Sequence, residues 1–215
     1  MLKQITEERV ERFKQVISKR QKNLTIILEN VHDPHNIGAV MRSCDAVGIT
    51  EIYLIYTEEG NNNVRQYIGS NSASGAKKWV RAHFFHDLES CFIAVRKKYS
   101  KIFGTHLSVE SFSLYDLDLT ESIALMFGNE QKGISEKAKT FLDGNFIIPQ
   151  YGMVQSLNIS VACAVSLFEA SRQRKVKRMY DANFNDSNVE HILMFNEFVN
   201  SHFAASLEKA GRNKQ

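Results

Sequence analysis

An α/β fold built on a parallel sheet is what this sequence predicts, and three observations carry the prediction. Short apolar runs rich in Ile, Leu, Val and Phe recur along the chain, amphipathic helical patterns separate several of them, and the runs are nearly continuous. Continuous apolar strands separated by helices belong to a sheet covered on both faces. The chain has 215 residues, 43% hydrophobic and 24% charged, which suits one soluble domain with small appendages and rules out a disordered chain. A chain of this size buries a core without a disulfide or metal staple.

The elements follow in order. From Thr6 to Gln21 the residues Val10, Phe13, Val16 and Ile17 fall on one stripe, with Glu7 and Glu8 in the first turn, so an amphipathic helix is expected. Strands are expected at Leu24 to Val31, Glu51 to Tyr56, Val80 to Phe85, Lys101 to Leu107, Ile123 to Phe127 and Phe146 to Ile148. Helices are expected near Ile37 to Val47, Leu88 to Tyr99 and Ser135 to Leu142, and a long one from about Val154 to Met179 with Leu157, Val161, Ala164, Val165 and Phe168 on its apolar side. A last helical pattern carries Ile192, Leu193, Phe195, Phe198 and Phe203. Gly60 to Asn63 and Gly69 to Gly75 read as loops. The expected partition is an N-terminal basic helical extension over 1–23, an α/β domain over 24–175 and a C-terminal helical extension over 176–215.

Several function classes drop out. Cys44, Cys91 and Cys163 are odd in number and never paired as CxxC, which excludes a disulfide framework and a zinc ribbon and fits a reducing, cytoplasmic compartment. The longest apolar runs are far shorter than the roughly 20 residues of a membrane helix, and no apolar signal region opens the chain. His32 and His35 with Cys44 lack a third ligand at suitable spacing, so no structural metal is expected. The segment Gly69 to Lys78 lacks the Gly-Lys-Ser/Thr ending of a triphosphate loop, and neither GxGxxG nor GxSxG is present.

Three polar clusters stand at the C-terminal ends of expected strands, where open α/β sheets bind ligands. The first is ENVHDPHNIGAVMR, Glu29 to Arg42, in which Pro34 ends the strand, Asn36 is read as the helix N-cap and Arg42 lies nearly two turns into the helix. Asn36 and Arg42 are six apart and share a face only loosely. The second is FGNEQKGIS, Phe127 to Ser135, a glycine-flanked turn whose lone carboxylate is Glu130. The third is IIPQYGMVQSLNIS, Ile147 to Ser160, where Asn158 stands as an amide within an apolar helix and therefore requires a hydrogen-bond partner. Read by spacing alone, Asn36 and Arg42 also fit a cap and a solvated cation, and the second cluster also fits a plain connection.

In this order the three clusters resemble motifs 1, 2 and 3 of the SpoU/TrmH family of S-adenosylmethionine-dependent RNA 2′-O-ribose methyltransferases, within the SPOUT superfamily. Similarity spans about residues 8 to 180. The resemblance implies a parallel α/β sheet with a C-terminal deep trefoil knot, which no compositional argument would supply. It implies S-adenosyl-L-methionine held by Thr105, His106 and Leu107, by Gly128 and Asn129, and by Ile148, Gln150, Met153 and Leu157, with Ile148, Met153 and Leu157 as apolar walls. It implies a homodimer, and tRNA as substrate, with guanosine 18 of the D-loop as the methylated nucleotide. Another tRNA or ribosomal RNA ribose, or a catalytically silent RNA-binding module, are the alternatives.

The same resemblance assigns Arg42 to the ribose 2′-hydroxyl. An arginine stays protonated below a pKa of about 12, so holding a substrate phosphate and stabilising a developing alkoxide suits it better than general-base work. Asn36 is expected to orient Arg42 or the ribose, Glu130 to anchor Arg42 or a partner subunit, and Ser156 and Asn158 to shape the transfer pocket. Asp33 and Gly38 depart from the family pattern, where Lys and Ser are expected, as do Asn129 and Gln131; the Asp33 change removes a possible phosphate contact. Arg12 and Arg20 on the first helix, with Arg172 and Arg174 at the end of the motif 3 helix, resemble tRNA-contacting flanks. Charge placement agrees: residues 1–23 carry a net +4 and residues 171–180 carry +5, around a body over 24–170 at −4 and a tail at −2, so a total of +3 conceals two basic flanks.

Overall fold

Seven parallel strands form the single sheet of a computed structural model that describes residues 5–57, 75–108 and 111–212. The strands are β1 (Leu24–Glu29), β2 (Glu51–Ile55), β3 (Arg81–Phe85), β4 (Lys101–Thr105), β5 (Phe112–Ser113), β6 (Ile123–Phe127) and β7 (Gly144–Ile147). Their order is β3-β2-β1-β6-β4-β7-β5, with Leu28 beside Phe127 and Gly104 beside both Met126 and Asn145. The helices are α1 (Glu7–Ser18), α2 (Pro34–Ala46), α3 (Leu88–Arg96), α4 (Glu136–Lys139), α5 (Ile159–Val176) and α6 (Val189–Arg212). The two-residue β5 is invisible in the apolar pattern because it is too short to establish a period. Of the loops expected from composition, Gly60 to Asn63 and Gly69 to Ser74 lie outside the described residues.

All six residues of β1 are buried, and successive side chains enter opposite layers. Leu24, Ile26 and Leu28 join Ile37, Met41 and Cys44 of α2 and Cys163 and Leu167 of α5 on one face. Ile27 meets Phe92 and Val95 of α3 and Ala138 of α4 on the other. The strand places apolar residues on both faces because it has no solvent side. Burial pushes the thiols of Cys44 and Cys163 far up and that of Cys91 up to about 12, so none is a ready nucleophile.

The chain separates into two compact units, residues 21–178 and the two ends, 1–20 with 179–215. Within the terminal unit Phe13 of α1 meets Phe198 of α6 edge-on at 5.5 Å, and the Arg20 guanidinium lies 5.5 Å from the Phe198 ring centre. The extensions that the sequence treats separately fold against each other. No helix among the described residues is long and apolar enough to cross a membrane.

Candidate functional site

The four strands β1, β6, β4 and β7 are consecutive neighbours, and being parallel they deliver their C-terminal ends to one edge. Motif 1 leaves β1, motif 2 leaves β6 and motif 3 leaves β7, while Thr105 to Leu107 close β4. Residues about 120 apart in sequence are thus brought side by side by strand order.

Motif 1 turns from β1 into α2. Asp33, and not Asn36, is the N-cap: its carboxylate accepts from the His35 amide at 2.8 Å, and Pro34 occupies the first helical turn where its missing N–H is harmless. Asn36 sits within that first turn with its side chain uncommitted to capping. Its Nδ2 donates to Glu130 Oε1 at 2.8 Å, and its Oδ1 accepts from Asn158 Nδ2 at 3.2 Å. One amide therefore links all three motifs.

Asn158 differs from the sequence expectation. It is the exposed N-cap of α5, accepting at Oδ1 from the Ser160 amide at 2.9 Å and the Ser160 hydroxyl at 2.6 Å, rather than a buried amide within the helix. The helix starts at Ile159, and residues 151–156 before it are exposed. Apolar periodicity over Val154 to Leu157 predicts helix there, but a capping asparagine competes with the backbone and sets the start. Solvent could satisfy an amide at this place, and its Nδ2 donates instead to Asn36.

The motif 2 turn is closed by two backbone bonds between Asn129 and Gly133, at 3.1 and 2.8 Å, with Gly133 at φ 68°. Asn129 Oδ1 accepts from the amides of Gln131 and Lys132, and its Nδ2 donates to the Asn30 carbonyl at 2.9 Å. Gly128 runs so close to the Gly133 and Ile134 backbone that a Cβ there would overlap it. At the exit Ser135 caps α4 and places both its amide and its hydroxyl on the carboxylate of Glu29, at 2.9 and 2.5 Å. Glu29 is 1% exposed. Sequence reasoning passed over Glu29, Asn30 and Ser135; the available signal was an acid ending an apolar strand.

Arg42 is exposed on α2 and makes no hydrogen bond or ion pair among the described residues. Glu130 engages Asn36, not Arg42. Ser156 and Gln150 are also exposed. Of the residues expected around a cofactor, Thr105 Oγ1 donates to the Met126 carbonyl at 3.4 Å, the His106 amide to the Phe146 carbonyl at 3.3 Å, and Ile148 packs against the core. Leu157 is half-buried, whereas Leu107 and Met153 stand 80% and 99% exposed and form no wall within one chain.

Two of the expected RNA contacts are corrected. Arg174 is fully buried, donating to the Leu119, Asn23 and Glu121 carbonyls and to the side-chain oxygens of Gln21 and Asn23. Such a guanidinium cannot reach a phosphate. Arg20 is 8% exposed and lies against Phe198. Arg172 is exposed but bidentate to Glu169, at 2.8 Å for both bonds, while Arg12 is exposed and makes no ion pair among the described residues.

Residues 23–168 match the model of the SpoU rRNA Methylase family. The chain belongs to that family. Among curated relatives, the tRNA (guanosine(18)-2′-O)-methyltransferase of Thermus thermophilus is 39% identical over 180 residues, covering 84% of this chain and 90% of that protein. The solved structure of the Aquifex aeolicus TrmH/SpoU tRNA modifying enzyme aligns with a TM-score of 0.75 at 33% identity, over 89% of this chain and 95% of that one. The SpoU methyltransferase AviRb from Streptomyces viridochromogenes, solved in complex with the cofactor AdoMet, aligns with a TM-score of 0.62 at 25% identity, over 74% of this chain and 64% of that one. The SpoU match lies wholly within the sheet-bearing unit, whereas the Thermus thermophilus relative aligns over more residues than that unit holds and so also matches part of the ends.

Proposed function

We propose that this SpoU-family chain transfers a methyl group from S-adenosyl-L-methionine to a ribose 2′-hydroxyl of tRNA, at guanosine 18. The observation that carries the reading is the hydrogen-bonded series Glu130, Asn36, Asn158, which draws the three motifs together on the helix that presents the unpaired Arg42. Similarity to full-length tRNA methyltransferases supports the substrate.

The residues present fit the cofactor. Thr105 to Leu107, Gly128 and Asn129, and Ile148, Gln150, Met153 and Leu157 come from three adjacent strand ends, offering backbone donors and acceptors beside apolar surface. Space where a Cβ would stand at Gly133 and Gly152 is open, so a bound molecule can approach the backbone there. When bound, the cofactor supplies a methyl group on a sulfonium, open to in-line attack.

Arg42 holds a ribose-flanking phosphate and presents a permanent charge that stabilises the developing alkoxide as the hydroxyl proton passes to solvent water. Asn36, fixed from both sides, sets the ribose edge, and Ser156 and Asn158 bound the pocket. Positioning supplies much of the acceleration. Arg12 on α1, with Lys175 and Lys177 at the C-terminal end of α5, all exposed, grip tRNA phosphates.

The reading extends to a homodimer, a knotted C-terminal path and a cytoplasmic location. Leu107, Tyr151, Met153 and Val154, between 65% and 99% exposed at the site, are the apolar surface a second copy covers. The strand order, with β7 between the two earlier strands β4 and β5, supports the knotted path. Labelled S-adenosylmethionine and undermodified tRNA, followed by nuclease mapping, test the function. Label at guanosine 18 is expected; label elsewhere moves the substrate, and tRNA binding without label overturns the enzyme reading.

A further inference from the structure

Glu130 reaches the site on a turn, and a turn is only as well placed as its attachments. Its entry is tied by Asn129 to the carbonyl of Asn30, and its exit by Ser135 to the carboxylate of Glu29. Both attachments are consecutive residues at the end of β1, the strand that continues into Asn36. Asn30 itself is rigid: it holds φ 52°, its amide donates to the Ile55 carbonyl at 2.8 Å, and its side chain binds both the amide and the hydroxyl of Thr57 at 3.0 Å. The Ser135 hydroxyl is equally committed, donating to Glu29 Oε1 and accepting from the Ala138 amide at 3.2 Å. Ile134, between turn and clamp, is buried in the second core layer.

We propose that Glu29 and Ser135 are positioning residues for methyl transfer, a buried clamp that fixes the Glu130 turn to the segment bearing Asn36. The inference rests on the reading of this edge as the methyl-transfer site. A carboxylate buried to this degree requires donors, and among the described residues both donors to its oxygens come from one residue, so the interaction registers two chain segments about 100 residues apart. A hydrogen bond is lost beyond about 3.5 Å, so a shift of under 1 Å in the turn releases Asn36 from Glu130. The clamp touches neither substrate nor cofactor. Its effect runs through Glu130.

Ser135→Ala and Ser135→Thr, each made alone and with Glu130→Ala in the full chain, test this. Ser135→Ala is expected to lower kcat about tenfold at saturating cofactor, the equivalent of one hydrogen bond of about 1.4 kcal/mol, with KM for tRNA little changed. Ser135→Thr retains wild-type kcat. In the Glu130→Ala background Ser135→Ala lowers kcat no further, although urea unfolding registers its stability loss in both backgrounds; a merely structural serine would instead lower kcat equally in both. Amide exchange at Gln131 and Lys132 is expected to quicken in Ser135→Ala, a readout independent of turnover. Unchanged kcat in Ser135→Ala, multiplicative losses with Glu130→Ala, or unchanged exchange overturns the clamp. A wild-type chain that methylates no RNA overturns the functional reading instead, and exchange alone then decides the clamp.

Discussion

Arg174 separates a structural cation from an RNA-gripping one. Its guanidinium is completely buried at the end of α5 and makes five hydrogen bonds, between 2.6 and 3.3 Å, to Leu119, Gln21, Asn23 and Glu121. Arg174→Met keeps the apolar stem and removes every donor, leaving those acceptors facing a thioether. Each charged hydrogen bond is worth about 1.5–3 kcal/mol net, but neighbouring bonds do not add. The expected loss is about 3–5 kcal/mol, the scale seen when a buried polar pairing is broken and a large share of a domain's total stability. Urea unfolding of the full chain measures it, with tRNA titrated across salt concentrations under conditions where the variant remains folded. The expected result is a large drop in the unfolding midpoint with an unchanged salt slope. A stability loss below about 1 kcal/mol together with a salt slope reduced by about 1 would refute the structural assignment and return Arg174 to the RNA surface.

Arg42→Ala is expected to lower kcat by at least about 10²-fold while equilibrium dialysis finds S-adenosylmethionine binding intact; near-wild-type turnover would remove Arg42 from the mechanism. Gly128→Ala forces a Cβ into the Gly133 and Ile134 backbone, so methyl transfer should collapse with only a local loss of structure, and unchanged activity would show that the turn is not held as described. Glu51 predicts an acid-side loss of stability. Burial alone would raise its pKa, but hydrogen bonds from His83, Lys98 and Tyr53, with the Lys98 charge, lower it from 4.5 to about 2. A lowered folded-state pKa gives stabilisation that is complete above about 4.5 and fades as pH falls towards 2. Urea midpoints measured down that range should fall less in Glu51→Gln than in the wild type, and parallel profiles would contradict the assignment.

Motifs and strands were legible because each is local. Apolar runs, nearly continuous in β1 and unbroken in β6, define these strands, Pro34 marks where β1 gives way to a helix, and Arg42 can be found by its place in motif 1. Exposure was not legible. Arg172 and Arg174 stand two apart in the same basic run, yet one is at the surface and the other carries five internal bonds, because a helix turns about 200° between them and only the neighbouring elements decide which face is buried. Asn158 reads in the sequence as a buried amide inside a helix but is an exposed cap, since capping depends on where the preceding loop is held.

By itself the sequence determined the layer architecture and the places of the three polar clusters at strand ends, which follow from hydrophobic period and residue type over short spans, while resemblance to a family marked the clusters as motifs. Only the tertiary structure decided that Asn36 bonds both Glu130 and Asn158, that Glu29 secures Ser135, and that Arg174 is internal. Those pairings join residues roughly 50 to 150 positions apart, and their geometry is set by strand order and helix packing, quantities that no local pattern contains.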